Sequence, residues 1–203
     1  MKIHIMRHAQ SEANINEILA GQLDYPLTEK GKKDAEQIAR WYNSRYSPSV
    51  IYCSPQIRAK QTAAPFHTSD SIPFRTDERL KEHNLGIFQG MTYSQVEGNP
   101  AYQMDKTRRW DWNIPEGESY RDIAKRIESF FSSIEPDHPD FLIVTHAVAM
   151  RLMKGVLENT LPIYPGELAK NGEIWELDFK GLGHSHIITS LFADSVDYEE
   201  HRS

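Results

Sequence analysis

The chain has 203 residues, with 23 Lys and Arg against 29 Asp and Glu, a formal net charge of −6. That balance argues against a nucleic-acid binder, which needs a basic face, and no apolar stretch reaches the length needed to span a bilayer. The single cysteine, Cys53, excludes an internal disulfide framework and fits a reducing compartment.

Lys2 to Met6 is an apolar run rich in Ile and Met and predicts a buried first strand. It stops at Arg7-His8-Ala9-Gln10-Ser11, where an open α/β sheet places its ligand crevice. Residues 9–27 read as a loop or a short helix and loop, ending at Asp24-Tyr25-Pro26. Thr28 is a candidate N-cap for a helix to about Ser44, with Ala35, Ile38, Ala39 and Tyr42 on one face. Val50 to Cys53 is a second strand halted by Ser54-Pro55, and a helix from about Gln56 to Ala64 ends near Pro65. Residues 73–76 suggest a short strand. Segment 86–117, with Gly86, Gly90, Gly98, Pro100, Pro115 and Gly117, is irregular and cap-like. A helix is expected from about Glu118 to Ile134, followed by the clearest buried strand, Phe141 to Thr145, and a helix from about Val148 to Leu157. Residues 173–179 and 187–192 read as two final strands, and residues 194–203 as an acidic, solvated tail. Strands alternating with helices predict an α/β fold, a three-layer α/β/α sandwich around a largely parallel sheet. The expectation is one domain over residues 1–203, cytoplasmic, without an N-terminal targeting segment.

Three predicted strand ends carry chemistry. The first ends at Arg7-His8, the second at Ser54-Pro55 with Arg58 in the next helical turn, and the strand at 141–145 at His146. In a parallel sheet these ends share one edge, which would bring two Arg and two His into one crevice beside helix N-termini. Such a pocket suits a phosphoryl group, because Arg is a planar fork for its oxygens and His can act as base or nucleophile. Glu82, in Leu80-Lys81-Glu82-His83-Asn84-Leu85-Gly86, would add a general acid.

These residues resemble the histidine phosphatase superfamily, also called the phosphoglycerate mutase-like family. Arg7-His8-Ala9-Gln10-Ser11 with Asn14 is similar to its signature motif, and Asp24 to Gly31 to the helix start that follows. Cys53-Ser54-Pro55 through Arg58, with Gln61-Thr62-Ala63, resembles the second motif. Leu80 to Gly90 resembles the general-acid loop, and Val144-Thr145-His146 the last motif, so the likeness covers roughly residues 1–180. It implies a phosphoglycerate mutase-like fold with residues 86–117 as a small cap. It also implies His8 as a nucleophile that becomes phosphorylated, and Arg7, Arg58 and His146 on the phosphoryl oxygens with Asn14 assisting. Glu82 would donate the proton, Gly21 and Ala147 would adjoin the substrate, and no cofactor or metal would be required. Ala9 and Ala147 stand where the family usually has Gly, so neither position can use a backbone angle only Gly tolerates.

The same machinery hydrolyses phosphoesters or moves phosphate between hydroxyls. Mutases of the family follow the acid with Arg, Tyr and Lys, where this chain has His83, Leu85 and Tyr93, and their cap is longer. Both points favour a phosphatase of small phosphorylated metabolites, monomeric or homodimeric. One feature points back to a mutase: the pair Arg108-Arg109 resembles a mutase pair that binds the substrate carboxylate, and in a phosphatase it would instead mean an acidic, carboxylate-bearing substrate. A mutase and a non-catalytic phosphate- or protein-binding relative are the alternatives. Trp110 and Trp112 fit a substrate pocket or a satellite core equally well. His184 and His186 alternate as a metal pair would, but no further ligand is identifiable, so they read as exposed turn residues.

Overall fold

In the computed structural model, which describes residues 1–135 and 137–191, the apolar runs become the strands of one sheet. In chain order the elements are β1 (Lys2–Arg7), α1 (Glu12–Ile15), α2 (Glu29–Asn43), β2 (Val50–Cys53), α3 (Ile57–Ala63), β3 (Phe74–Thr76), α4 (Tyr93–Val96), α5 (Tyr120–Ser132), β4 (Phe141–Thr145), α6 (Ala147–Leu157), β5 (Ile174–Asp178) and β6 (Thr189–Ser190). The sheet order is β3-β2-β4-β1-β5-β6. β3, β2, β4 and β1 are parallel neighbours, and β5 runs antiparallel to β1. The expected largely parallel sheet is therefore present. β6 is shorter than the predicted strand at 187–192, and the acidic tail lies outside the described residues. None of the helices among the described residues is long and apolar enough to cross a membrane.

The central strands are buried on both faces, which is why they read as continuous apolar runs rather than alternating ones. Phe141 and Ile143 of β4 join Ile3 and Ile5 of β1 in a core with Ile123, Ile127 and Phe131 of α5 and Met150 and Met153 of α6. Leu142 and Val144 join Met6 and Ile51 in a second core with Ile38 and Tyr42 of α2 and Ala59 and Ala63 of α3. Helices thus cover both faces, giving three layers. Each fully buried large apolar side chain contributes roughly 1.5–3 kcal/mol, so the two cores fix the sheet that carries the site.

Parallel register aligns the strand ends. Arg7 pairs with Thr145 and Cys53 with Val144, so β1, β4 and β2 finish together. His8, His146 and Ser54 are the next residues along each chain segment. α2 is held close behind this edge: Thr28 caps it by accepting from Gly31 N at 2.9 Å. A Cβ on Gly31 would lie 2.0 Å from Gln10 O, so only glycine permits this approach.

Segment 86–117 is irregular as expected, with 3-10 turns at Gly86–Phe88 and Lys106–Arg108 and the short α4. It covers a small satellite core of Leu19, Leu85, Phe88, Val96, Tyr102 and Ile114, against which Trp112 packs. Trp110 packs on the main core instead. One reading is corrected. His184 is exposed, but His186 is buried, because its ring stacks on Phe179 and both its nitrogens bond backbone, to Leu157 O at 2.7 Å and Lys180 N at 3.0 Å.

Candidate active site

The two histidines at the strand ends meet. Their ring centroids are 5.1 Å apart, with planes at 60°. Nδ1 of His8 lies 2.7 Å from Ala9 O. A carbonyl can only accept, so Nδ1 carries the proton and the lone pair is on Nε2. Burial, then Arg58 and Arg7, push His8 well below the ordinary histidine value, which keeps the ring neutral. His146 is pushed the same way by burial, Arg58 and His8. Its Nε2 lies 2.8 Å from Ser54 Oγ, and its Nδ1 is buried without a hydrogen-bond partner among the described residues. Ser54 Oγ also accepts from Gln56 N at 3.4 Å, so its proton is available for His146 Nε2. In the tautomer in which Ser54 donates to Nε2, Nδ1 of His146 carries the proton.

Two arginines stand beside this pair. Arg58 is 2% exposed, although it occupies a helix where arginine is ordinarily solvated. Among the described residues its guanidinium hydrogen-bonds backbone: Nη1 donates to Leu23 O and Nη2 to Gly21 O, each at 2.8 Å. Gly21 sits at φ 51°, a left-handed angle that turns its carbonyl onto Arg58 and onto Gln56 Nε2 at 3.1 Å. Arg7 Nη1 donates to Ala169 O at 2.6 Å, while its Nε is buried and without a hydrogen-bond partner among the described residues. Neither arginine forms an ion pair among the described residues. Thr62 ties the two motifs, accepting from Ala9 N at 3.0 Å and donating to Arg58 O at 2.8 Å.

Glu82 is anchored by its backbone and steered by a helix. Its N–H donates to Gln56 Oε1 at 2.8 Å, and its carbonyl accepts from Gln22 Nε2 at 3.0 Å. Its carboxylate accepts from His83 N at 2.9 Å and from Val148 N and Ala149 N at 3.2 Å, across the N-terminus of α6. Asn14 Oδ1 accepts from Ser11 N, Ser11 Oγ and Asn171 Nδ2 at 3.0, 2.9 and 3.1 Å. Ala9 and Ala147 hold ordinary backbone angles; the positive-φ non-glycine residues described are Glu17, Glu116 and Asn159.

A cavity of about 340 Å³ opens here, lined by Arg7, His8, Asn14, Gly21, Arg58, Glu82 and Ala147. His146 is fully buried and stands against His8 rather than in the wall. The wall continues through His83, Leu85 and Tyr93 to Tyr102, Lys106, Arg109, Tyr120 and Arg151. Arg109 Nε donates to Gln103 O at 2.9 Å, and its guanidinium lies 5.1 Å from the Tyr102 ring and 5.2 Å from the Trp112 ring. Arg108 is exposed and does not line the cavity, so the structure brings one arginine of the predicted pair to the site and not the other. Trp110 and Trp112 lie outside the wall and serve as packing. Among the described residues lining the cavity, Glu82 is the single carboxylate, against five Arg or Lys side chains: Arg7, Arg58, Lys106, Arg109 and Arg151.

Sequence reasoning missed Arg151, Lys106, Gln56 and Asn171. Arg151 had a signal. It is a lone guanidinium within the apolar turns Ala147 to Met153, and it is 1% exposed, bonding Tyr120 Oη at 3.2 Å and Gly166 O at 2.6 Å.

The fold is that of an α/β protein with a buried histidine pair and two arginines, neither in an ion pair among the described residues, at the carboxyl edge of a mostly parallel sheet. The chain belongs to the histidine phosphatase superfamily (branch 1), which matches it over residues 3–185. It is 33% identical over 152 residues to a 6-phosphofructo-2-kinase/fructose-2,6-bisphosphatase of Caenorhabditis elegans, covering 73% of this chain but 32% of that longer protein. It is 31% identical over 160 residues to phosphoserine phosphatase 1 of Hydrogenobacter thermophilus, covering 75% and 74% of the two chains. A mycobacterial glucosyl-3-phosphoglycerate phosphatase solved with VO3 shares the fold, with a TM-score of 0.81 at 23% identity over 93% of this chain and 97% of that one.

Proposed function

We infer that the chain is a metal-independent phosphomonoester hydrolase that works through a phosphohistidine at His8. The observation that carries this reading is the 2.7 Å contact between His8 Nδ1 and Ala9 O, which leaves Nε2 of a neutral imidazole for attack. Arg7, Arg58, His146 and Asn14 hold the phosphoryl oxygens. The buried nitrogens without a hydrogen-bond partner among the described residues, Arg7 Nε and His146 Nδ1, support this role. Leaving such a group unmet costs about 1–3 kcal/mol, a cost that a bound anion removes. Gly21 and Ala147 border the phosphoryl group through backbone.

In the first step His8 Nε2 attacks phosphorus in line, and the bond to the leaving oxygen breaks. Glu82, protonated, gives that oxygen its proton. In the second step the Glu82 carboxylate takes a proton from water as the water oxygen attacks the phosphohistidine, releasing inorganic phosphate and neutral His8. The arginines neutralise the non-bridging oxygens, so the scheme assigns no task to a metal.

The substrate is a small phosphorylated metabolite with a second anionic group such as a carboxylate. Arg109 supports this, together with Lys106 and Arg151, because Glu82 is the single carboxylate among the described residues lining the cavity with them. Phosphatase is favoured over mutase by His83, Leu85 and Tyr93, which line the cavity where the mutases resembling this chain carry Arg, Tyr and Lys. The test is release of phosphate from 3-phosphoglycerate, phosphoserine and p-nitrophenyl phosphate after exhaustive EDTA treatment. Hydrolysis should persist. Activity restored only by zinc or magnesium would overturn the metal-independent scheme, and isomerisation outpacing hydrolysis in the presence of 2,3-bisphosphoglycerate would favour the mutase.

A further inference from the structure

We propose that Asn171 is a positioning residue that sets which end of the Asn14 amide faces the phosphoryl group and braces the carbonyl that orients His8. The inference rests on the hydrolase reading above. Asn171 lies in the turn before β5, far from the signature motif in sequence. Its Nδ2 donates to His8 O at 3.0 Å, to Ala9 O at 3.3 Å and to Asn14 Oδ1 at 3.1 Å.

The logic is a chain of hydrogen-bond polarity. The two backbone carbonyls can only accept, so Asn171 must turn its NH2 toward them. A flipped amide would set its oxygen against both carbonyls. With its NH2 so placed, Asn171 demands an acceptor from Asn14, and Asn14 answers with Oδ1. Ser11 reinforces the choice, donating to the same Oδ1 from its N–H at 3.0 Å and its hydroxyl at 2.9 Å. Asn14 lines the cavity, and with Oδ1 engaged its NH2 end is the one left for an anion. An amide oxygen in that place would repel phosphate.

The second half of the role is at Ala9 O, which accepts from both His8 Nδ1 and Asn171 Nδ2. The single N–H of Gly172 is shared between Arg7 O at 3.2 Å and His8 O at 3.3 Å, so the turn at 171–172 grips the backbone on both sides of the nucleophile.

The experiment is a double-mutant cycle read by competitive inhibition with inorganic phosphate, using p-nitrophenyl phosphate as substrate. Asn14→Ala should raise the phosphate inhibition constant about tenfold, the worth of one hydrogen bond to a charged group. Asn171→Asp, which is isosteric but cannot donate, should raise it at least as much. Asn171→Ala gives the same reading if the aspartate variant does not fold. In the Asn14→Ala background, either Asn171 substitution should change the inhibition constant by less than about twofold, because no amide remains to be turned. kcat should still fall, because the brace on His8 is lost. Multiplying losses in the cycle would overturn the proposal. So would Asn171 variants that keep the wild-type inhibition constant and kcat while melting at lower temperature. Wild-type enzyme that forms no phosphohistidine would instead sink the hydrolase reading, so the two failures are distinguishable.

Discussion

The rings of His8 and His146 sit 5.1 Å apart, yet they come from strand ends 138 positions apart in the sequence. Parallel pairing of β1 with β4 makes the meeting unavoidable, because Arg7 and Thr145 are register partners and each histidine is the next residue. Both imidazoles are buried beside Arg58, which disfavours their protonation. Both rings are therefore favoured in the neutral form.

Stability should fall on acidification. His8 and His146 are held well below the ordinary histidine value in the folded state, and His4 and His83 are lowered too, in each case chiefly by burial. The unfolded chain takes up protons near the ordinary value of about 6.5, so below that pH it binds more protons than the folded chain. The contribution is fully present above about pH 6.5 and is lost as pH falls toward the depressed folded values. Melting followed by circular dichroism between pH 7.5 and 5.0 should show a declining midpoint. His8→Gln should flatten that decline by a few degrees, since about 1 kcal/mol moves the midpoint by about 2–4 °C in a domain of this size. Parallel curves for the two proteins would contradict the depressed value at His8.

Glu82→Gln should separate substrates by leaving group. p-Nitrophenolate departs with little protonation, whereas an alkoxide requires the acid. Turnover of an alkyl phosphate such as phosphoserine should fall about 100-fold or more, and phosphorylation by p-nitrophenyl phosphate much less. Because water activation also uses Glu82, the comparison is made on the burst phase. Equal losses for both substrates would remove Glu82 from the acid role.

Arg109 and Arg108 should differ. Arg109→Ala should raise KM for 3-phosphoglycerate about tenfold relative to p-nitrophenyl phosphate, the effect of losing one charge-assisted contact. Arg108→Ala should leave that ratio unchanged, because Arg108 is exposed outside the cavity wall. A matched rise for both substrates with Arg109→Ala would show that it does not read the second anionic group.

The strands that build the site were legible because they are buried on both faces and leave continuous apolar runs. β1, β2 and β4 fall within a residue or so of the predicted spans. β6 falls inside the predicted strand at 187–192 but is shorter, and Thr189 and Ser190 are both exposed. The family motifs announced His8, Arg58 and His146, but not what holds them. Asn171 acts on Asn14 across 157 positions, and no local pattern encodes such a pair. Arg108 and Arg109 could not be ranked from sequence, since neighbours at the end of a helical turn point in different directions. His186 looked like a turn residue because its stacking partner and backbone contacts emerge only from the fold.

The central claim is a covalent phosphohistidine at His8. The most direct measurement mixes the enzyme with phosphate-labelled substrate, quenches in alkali within the first turnovers and maps the label by peptide mass spectrometry. The account predicts label on the peptide carrying His8, stable to base and lost in acid, and none with His8→Ala of intact fold. Label on another residue, or turnover without any label at His8, would contradict it.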